Sequence, residues 1–196
     1  MIDTPEKVEN ITFANASGSP CPPPKGMTPR PGQIVCGDID MRIDADGTWF
    51  YHGTPINRQK LVKLFSTVVR RDDDGEYWLI TPAEMARITV EDAPFLAVEM
   101  AETNDNGVRS LAFRTNVDKW VTADSGHPIR VELDADTGEP RPYIRLAEDG
   151  TEARINRAVF YDLVENAVVA QVDGRDMLVV ESAGTQFVLG PVAEEA

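Results

Sequence analysis

The chain has 196 residues, 42% apolar and 27% charged, with a formal net charge of −14. That is an ordinary globular balance, with enough chain for one large domain or two small ones. The charge puts general nucleic-acid or membrane-surface binding at a disadvantage, and no apolar run approaches the roughly 20 residues that cross a bilayer. The start, Met1 to Glu6, lacks a basic stretch followed by an apolar one, so no secretory signal and a cytoplasmic location are expected. Cys21 and Cys36 are too few for a disulfide framework and are expected as free thiols in a reducing compartment. With His52 and His127 the only histidines, no zinc site and no cofactor are expected.

Residues 1–35 read as a proline-rich arm, with Ser17-Gly18-Ser19-Pro20 and Pro22-Pro23-Pro24 denying helix hydrogen bonds. Val8, Ile11 and Phe13 are candidates to pin it to the body. From Cys36, Ile39, Met41 and Ile43 alternate with Asp40, Arg42 and Asp44, the pattern of a half-buried strand. Asp46-Gly47 signals a hairpin, with Thr48–His52 as the returning strand. A helix is expected over 57–70, where Leu61, Leu64, Phe65, Val68 and Val69 form one stripe. Asp74-Gly75 makes a turn into the strand Tyr77–Ile80, and further strands are expected at 86–91, 95–102, 108–115, 119–123 and 129–134.

The pattern then returns. Ile144-Arg145-Leu146 leads to Asp149-Gly150-Thr151 as Met41-Arg42-Ile43 leads to Asp46-Gly47-Thr48. A second helix is expected over 156–169, with Phe160, Leu163 and Val164 in its stripe. Ungapped, 57–79 and 156–178 share seven of 23 positions, among them Asn57/Asn156, Arg58/Arg157 and Leu64/Leu163. Unrelated segments would share one or two, roughly, so an internal duplication is expected.

If Asn57 and Asn156 cap the two helices, Arg58 and Arg157 sit in the first turn, where the helix dipole disfavours a cation. Each should then have an anionic partner, either a ligand group or a protein carboxylate such as Asp38, Asp40 or Asp92. The acidic run Asp38, Asp40, Asp44 and Asp46 does not make an EF-hand loop, because Gly47 in sixth place puts Arg42 first. No metal site is assigned there. No nucleophile elbow, P-loop or dinucleotide fingerprint is present in the sequence, so no catalytic residue is assigned. Trp49 either packs in the core or lines a surface suited to a peptide or small organic ligand.

Several short motifs in order carry a resemblance. They are Cys36-Gly37-Asp38-Ile39-Asp40-Met41, Asp46-Gly47-Thr48-Trp49, Pro55-Ile56-Asn57-Arg58, Thr81-Pro82-Ala83-Glu84, Val90 to Phe95, Phe113-Arg114-Thr115-Asn116 and Arg141-Pro142-Tyr143. Across about 36 to 190 the chain resembles the uncharacterised proteobacterial family called domain of unknown function 1285. The resemblance implies a two-part α+β fold with duplicated motifs, no established activity and a loosely expected regulatory or signalling role.

The expected fold is α+β, with two bent antiparallel sheets, each packed by one main helix, and a second half similar to pleckstrin-homology-type sheets. The expected domains are a first repeat at 36–138 and a second at 139–196, with strands 86–134 completing the first sheet. The functional reading is a non-catalytic, regulatory ligand- or peptide-binding protein. Its site would lie at the junction of the repeats, built from Arg58, Asp92, Arg114, Tyr143, Arg157 and Trp49 around an anionic small molecule or extended peptide. The alternatives are a protein–protein assembly subunit and a metal-assisted hydrolase using Asp38, Asp40, Glu91 and Asp92.

Overall fold

The computed structural model describes residues 21–105 and 107–192. They divide into two compact units between Asp92 and Ala93. In the first unit, β1 (Ile34–Ile43) buries Ile39, Met41 and Ile43 and exposes Asp38 and Asp40. The Asp44 carboxylate accepts from the N–H groups of Asp46 and Thr48, closing the loop into β2 (Trp49–Tyr51). His52 and Gly53, both at positive φ, turn the chain into β3 (Thr54–Pro55), as a primed two-residue hairpin requires. Next come α1 (Gln59–Ser66), β4 (Val69–Arg71), β5 (Tyr77–Ile80) and β6 (Glu84–Val90).

Helix α1 is shorter than its apolar periodicity suggests. The hydroxyls of Ser66 and Thr67 donate to the carbonyls of Lys63 and Leu64, satisfying groups a longer helix would use. The β-branched Val69 belongs to β4, and Val62 and Phe65 carry the buried face. Phe65 stacks on Trp49 with centroids 6.2 Å apart.

The sheet order is β3-β2-β1-β6-β5-β4. β1 and β6 run parallel and the other pairs antiparallel, so this sheet is mixed and not antiparallel as expected. Residues 21–33 are tied to this unit. Asp73 N–H donates to the carbonyl of Lys25, Lys25 Nζ pairs with Asp74, and Gln33 Nε2 donates to the Thr81 carbonyl. The anchors expected at Val8, Ile11 and Phe13 lie outside the described residues.

The second unit contains β7 (Phe95–Asp105), β8 (Val108–Thr115), β9 (Trp120–Thr122), β10 (Ile129–Leu133), β11 (Pro140–Arg145) and β12 (Glu152–Ile155). They form one sheet in the order β10-β11-β12-β7-β8-β9, also mixed because β12 and β7 are parallel. Then follow α2 (Arg157–Glu165) and a three-stranded sheet of β13 (Val168–Val172), β14 (Arg175–Ser182) and β15 (Thr185–Pro191). Val159, Phe160 and Leu163 form the buried face of α2. The described chain is therefore mostly β, with two helices, and not the α+β balance expected. None of its helices is long and apolar enough to cross a membrane.

Both units contain the order strand, Asp-Gly turn, strand, helix, hairpin, with β3 added before the helix in the first unit. Their wiring differs. In the first unit the parallel neighbour joins the strand before the turn, β1; in the second it joins the strand after it, β12. The hairpin after α1 shares the six-stranded sheet, whereas the hairpin after α2 joins β15 in a sheet of its own. The division after Asp92 differs from the expected 36–138 and 139–196 because the strands from Phe95 to Leu133 pair with β11 and β12.

Candidate functional site

Most of the residues singled out in the sequence are engaged within their own unit. Trp49 is 1% exposed and is core, so it lines no surface. Arg58 is the exposed N-cap residue of α1 and makes no side-chain capping bond, so Asn57 is not the cap. Asp92 is half-buried just beyond β6. In the second unit, Arg114 on β8 pairs with Glu99 and Asp118. Tyr143 on β11 is 3% exposed, with the Arg130 guanidinium 4.2 Å from its ring centroid. Arg157 opens α2 beside the Asn156 cap, and its Nε donates to the Tyr161 hydroxyl at 2.8 Å. That hydrogen bond holds the guanidinium above its ordinary pKa. The partner predicted for a first-turn arginine is thus a phenol, not a carboxylate.

The acidic run is similarly engaged. Asp38 receives a two-pronged hydrogen bond from Arg87, which holds its carboxyl below the usual range. Asp40 meets His52 Nδ1, and Glu91 pairs with Arg42 and accepts from Ala45 N–H.

A different place in the second unit has the geometry of a site. β7 and β8 form a hairpin with Asp105 opposite Val108, and Gly107 at positive φ donates to the Asn104 side chain. On its far arm, the Arg109 carbonyl accepts from Ala183 N–H at 2.8 Å. The next bond in this suture is buried: Ser182 Oγ accepts from Leu111 N–H at 2.8 Å and donates to the Ala123 carbonyl at 2.7 Å. β8 is thereby stitched to β14, and side chains on alternate residues of β14, Val179 and Glu181, share the opposite face from Ser182.

That face backs a cleft of about 330 Å³ lined by Val108, Arg109, Asn166, Val168, Val179 and Glu181, with Gly107 and Gly184 at its rim. Arg109 Nη2 donates to Glu102 at 2.8 Å and to Asn166 Oδ1 at 3.0 Å. Asn166 is itself held by its Nδ2 donating to the Asp162 carbonyl at 2.8 Å. The Arg109 Nε–H is buried and has no acceptor among the described residues. A guanidinium carries five N–H donors, and a buried donor without a partner is costly. The cleft therefore offers branched apolar walls, one cation with donors to spare, a carboxylate and an amide. Arrangements of this kind hold an oxyanion on an apolar body.

A second recess, of about 310 Å³ in the first unit, is lined by Met27, Thr28, Arg30, Gln33, Ile80, Thr81, Pro82 and Met85. Its polar groups are largely spent on each other: Gln33 accepts from Arg30 N–H and donates to the Thr81 carbonyl.

Residues 30–93 match the family model described as the N-terminal domain of unknown function DUF1285, and residues 94–189 match its C-terminal domain. The chain belongs to the DUF1285 family. The two DUF1285 models meet one residue from the place where the structure divides. A crystal structure of a DUF1285 family protein from Silicibacter pomeroyi DSS-3 is 40% identical, with a TM-score of 0.73 over 86% of this chain and 91% of that one. A DUF1285 family protein from Shewanella baltica OS155 is 32% identical, with a TM-score of 0.51 over 65% of this chain and 91% of that one. No curated protein matches.

Within this DUF1285 chain, no local motif marks Arg109, Asn166 or Val168 as site residues. Arg109 falls in the strand expected at 108–115, and Val168 within the helix expected over 156–169. The available signal was the Val168-Val169 pair, since adjacent β-branched residues favour a strand over a helix end.

Proposed function

We propose that this protein is a non-catalytic binding protein of the regulatory type, taking an anionic ligand, small molecule or peptide, in the cleft of its second unit. The observation supporting this reading is the Arg109 guanidinium, its side chain 30% exposed, beside Val108 and Val168 in a cleft. A ligand carboxylate would meet the part of the Arg109 guanidinium left accessible, while its apolar body covers Val108 and Val168, which are 51% and 63% exposed. The other arginines considered are less suited. Arg114 is bracketed by two carboxylates where Arg109 meets one, Glu102, and Arg157 is held by Tyr161 outside the lining of this cleft. A pleckstrin-homology-type likeness of the second unit belongs to this proposal only as a statement about scaffold, because fold does not choose a ligand.

The test is to titrate the full chain with hexanoate and with the neutral hexanol, following thermal stability and the backbone amide signals of residues 107–109 and 166–168. The expected result is Tm raised by hexanoate and not by hexanol, with the effect lost in Arg109→Gln. Equal responses to both compounds, or a hexanoate response that survives Arg109→Gln, would overturn the reading.

A further inference from the structure

Among the described residues, every sheet edge but one carries a device that blocks further strand pairing. In the first sheet, β3 is two residues long and includes Pro55, and β4 is three residues long with Arg70 and Arg71. In the second sheet, β9 has three residues, and β10 carries Arg130 and Glu132. In the third sheet, β15 lies beside β10 and ends in Pro191. The exception is β13, Val168-Val169-Ala170-Gln171-Val172. It has no charge, no proline and an unbroken register with β14 from Val168–Val179 to Val172–Arg175. It pairs on one side only among the described residues, and Val168 and Val169 are 63% and 57% exposed.

This unguarded edge begins at the cleft, because Val168 both opens β13 and lines the cavity beside Arg109. Resting on the binding reading above, we infer that the ligand is an extended peptide that adds to β13 as an antiparallel strand and seats its free C-terminal carboxylate by Arg109. Direction follows from chain geometry: an antiparallel strand runs its C-terminus toward the start of β13, where the cation stands. Backbone groups of the edge supply affinity without regard to sequence, and alternate side chains supply selectivity. A five-residue edge at about 3.3 Å per residue engages about four or five peptide residues. The last side chain on the cleft face meets Val108 and Val168, so an apolar C-terminal residue fits. The overall charge of −14 disfavours an acidic peptide, which confines the useful negative charge to the terminal carboxylate.

The experiment measures binding of acetyl-Thr-Ser-Val-Thr-Val as the free acid and as its C-terminal amide to the full chain, by calorimetry. The free acid should bind about tenfold or more tightly than the amide, the worth of a charge-assisted hydrogen bond. Arg109→Gln should erase that difference, and Val169→Lys, an edge-guarding substitution at an exposed position, should weaken both peptides. Equal affinity of acid and amide, or no effect of Val169→Lys, would overturn the inference. Hexanoate binding through Arg109 without any preference among peptides would leave the small-anion reading standing and remove the peptide. Light scattering that showed a dimer dissolved by Val169→Lys would assign the edge to a second copy of the chain and overturn the peptide instead.

Discussion

The indole Nε1–H of Trp78 donates to the carboxylate of Asp72 at 3.0 Å, with both residues buried. The same carboxylate accepts from the backbone N–H groups of Lys25, Asp74 and Glu76. One side chain therefore joins the segment before β1, the β4–β5 turn and the β5 core. Burial works against its ionisation, but these hydrogen bonds outweigh it and hold its carboxyl below the ordinary range. Asp72→Asn would set an amide N–H₂ against donors, with an expected loss of about 1.5–3 kcal/mol in the unfolding of the first unit. The folded-state value is depressed, so the stabilisation is complete above the unfolded carboxylate's roughly 3.9 and is lost as pH falls through the folded value. Urea melts followed by tryptophan fluorescence should show an acid limb that flattens in Asp72→Asn.

Ser182 is 0% exposed and completes two hydrogen bonds between strands. Ser182→Ala orphans Leu111 N–H and the Ala123 carbonyl, for an expected cost of about 1–3 kcal/mol. Hydrogen exchange at Leu111 and Ala183 should accelerate more than at β11. Equal acceleration everywhere would mean that Ser182 does not specifically hold β8 to β14.

Gly37 sits at φ +71 in a bulge of β1, and a Cβ there would lie 2.7 Å from Cys21 Cβ. Gly37→Ala combines backbone strain of about 1–2 kcal/mol with that clash. Adding Cys21→Gly should recover the clash part alone, leaving a residual loss set by the backbone. Full recovery in a denaturant melt would show that the conformation at 37 carries no strain.

Arg130 grips Glu152 with Nε and Nη2 while lying over the Tyr143 ring. The pair pulls the Arg130 pKa above its ordinary value, and the Glu152 side chain is only 15% exposed. Arg130→Met leaves that carboxylate unpaired, for an expected cost of about 1–2 kcal/mol, reduced because Arg130 itself is partly solvated. Glu152→Gln in the same chain should return part of the loss, and a double-mutant cycle reads the coupling.

Asn156 Oδ1 accepts from Val159 N–H at 2.8 Å, whereas Arg58 and not Asn57 stands at the N-cap of α1. Asn156→Ala should cost about 1 kcal/mol and Asn57→Ala only a few tenths. Matched losses in thermal melts would show that the two helices begin alike after all.

That asymmetry marks how far the repeat was readable. The seven shared positions in 57–79 and 156–178 located both helices and the turns at Gly75 and Gly174, because cap, turn and stripe chemistry act within a few residues. They placed the ends of α1 too far out at both sides. Val68 and Val69 continue the helical spacing, yet Val69 pairs with Leu79 in β4, a contact that periodicity alone does not contain. The candidate site was hidden for the same reason. Arg109, Asn166 and Glu181 are far apart along the chain and meet only because Ser182 and Ala183 bind β8.

From the amino-acid order alone came the duplicated motifs, the strand alternation of β1, the family resemblance and the positions of most strands, all properties of short windows. Tertiary structure decided that both large sheets are mixed, that the strands from Phe95 to Leu133 belong to the second unit, and that β13, an edge among the described residues, begins beside a cation. Strand order and direction depend on which distant backbones find each other, and backbone hydrogen bonds can complete a ladder in either direction. No local pattern encodes that choice; the whole core does, by burying its apolar faces together.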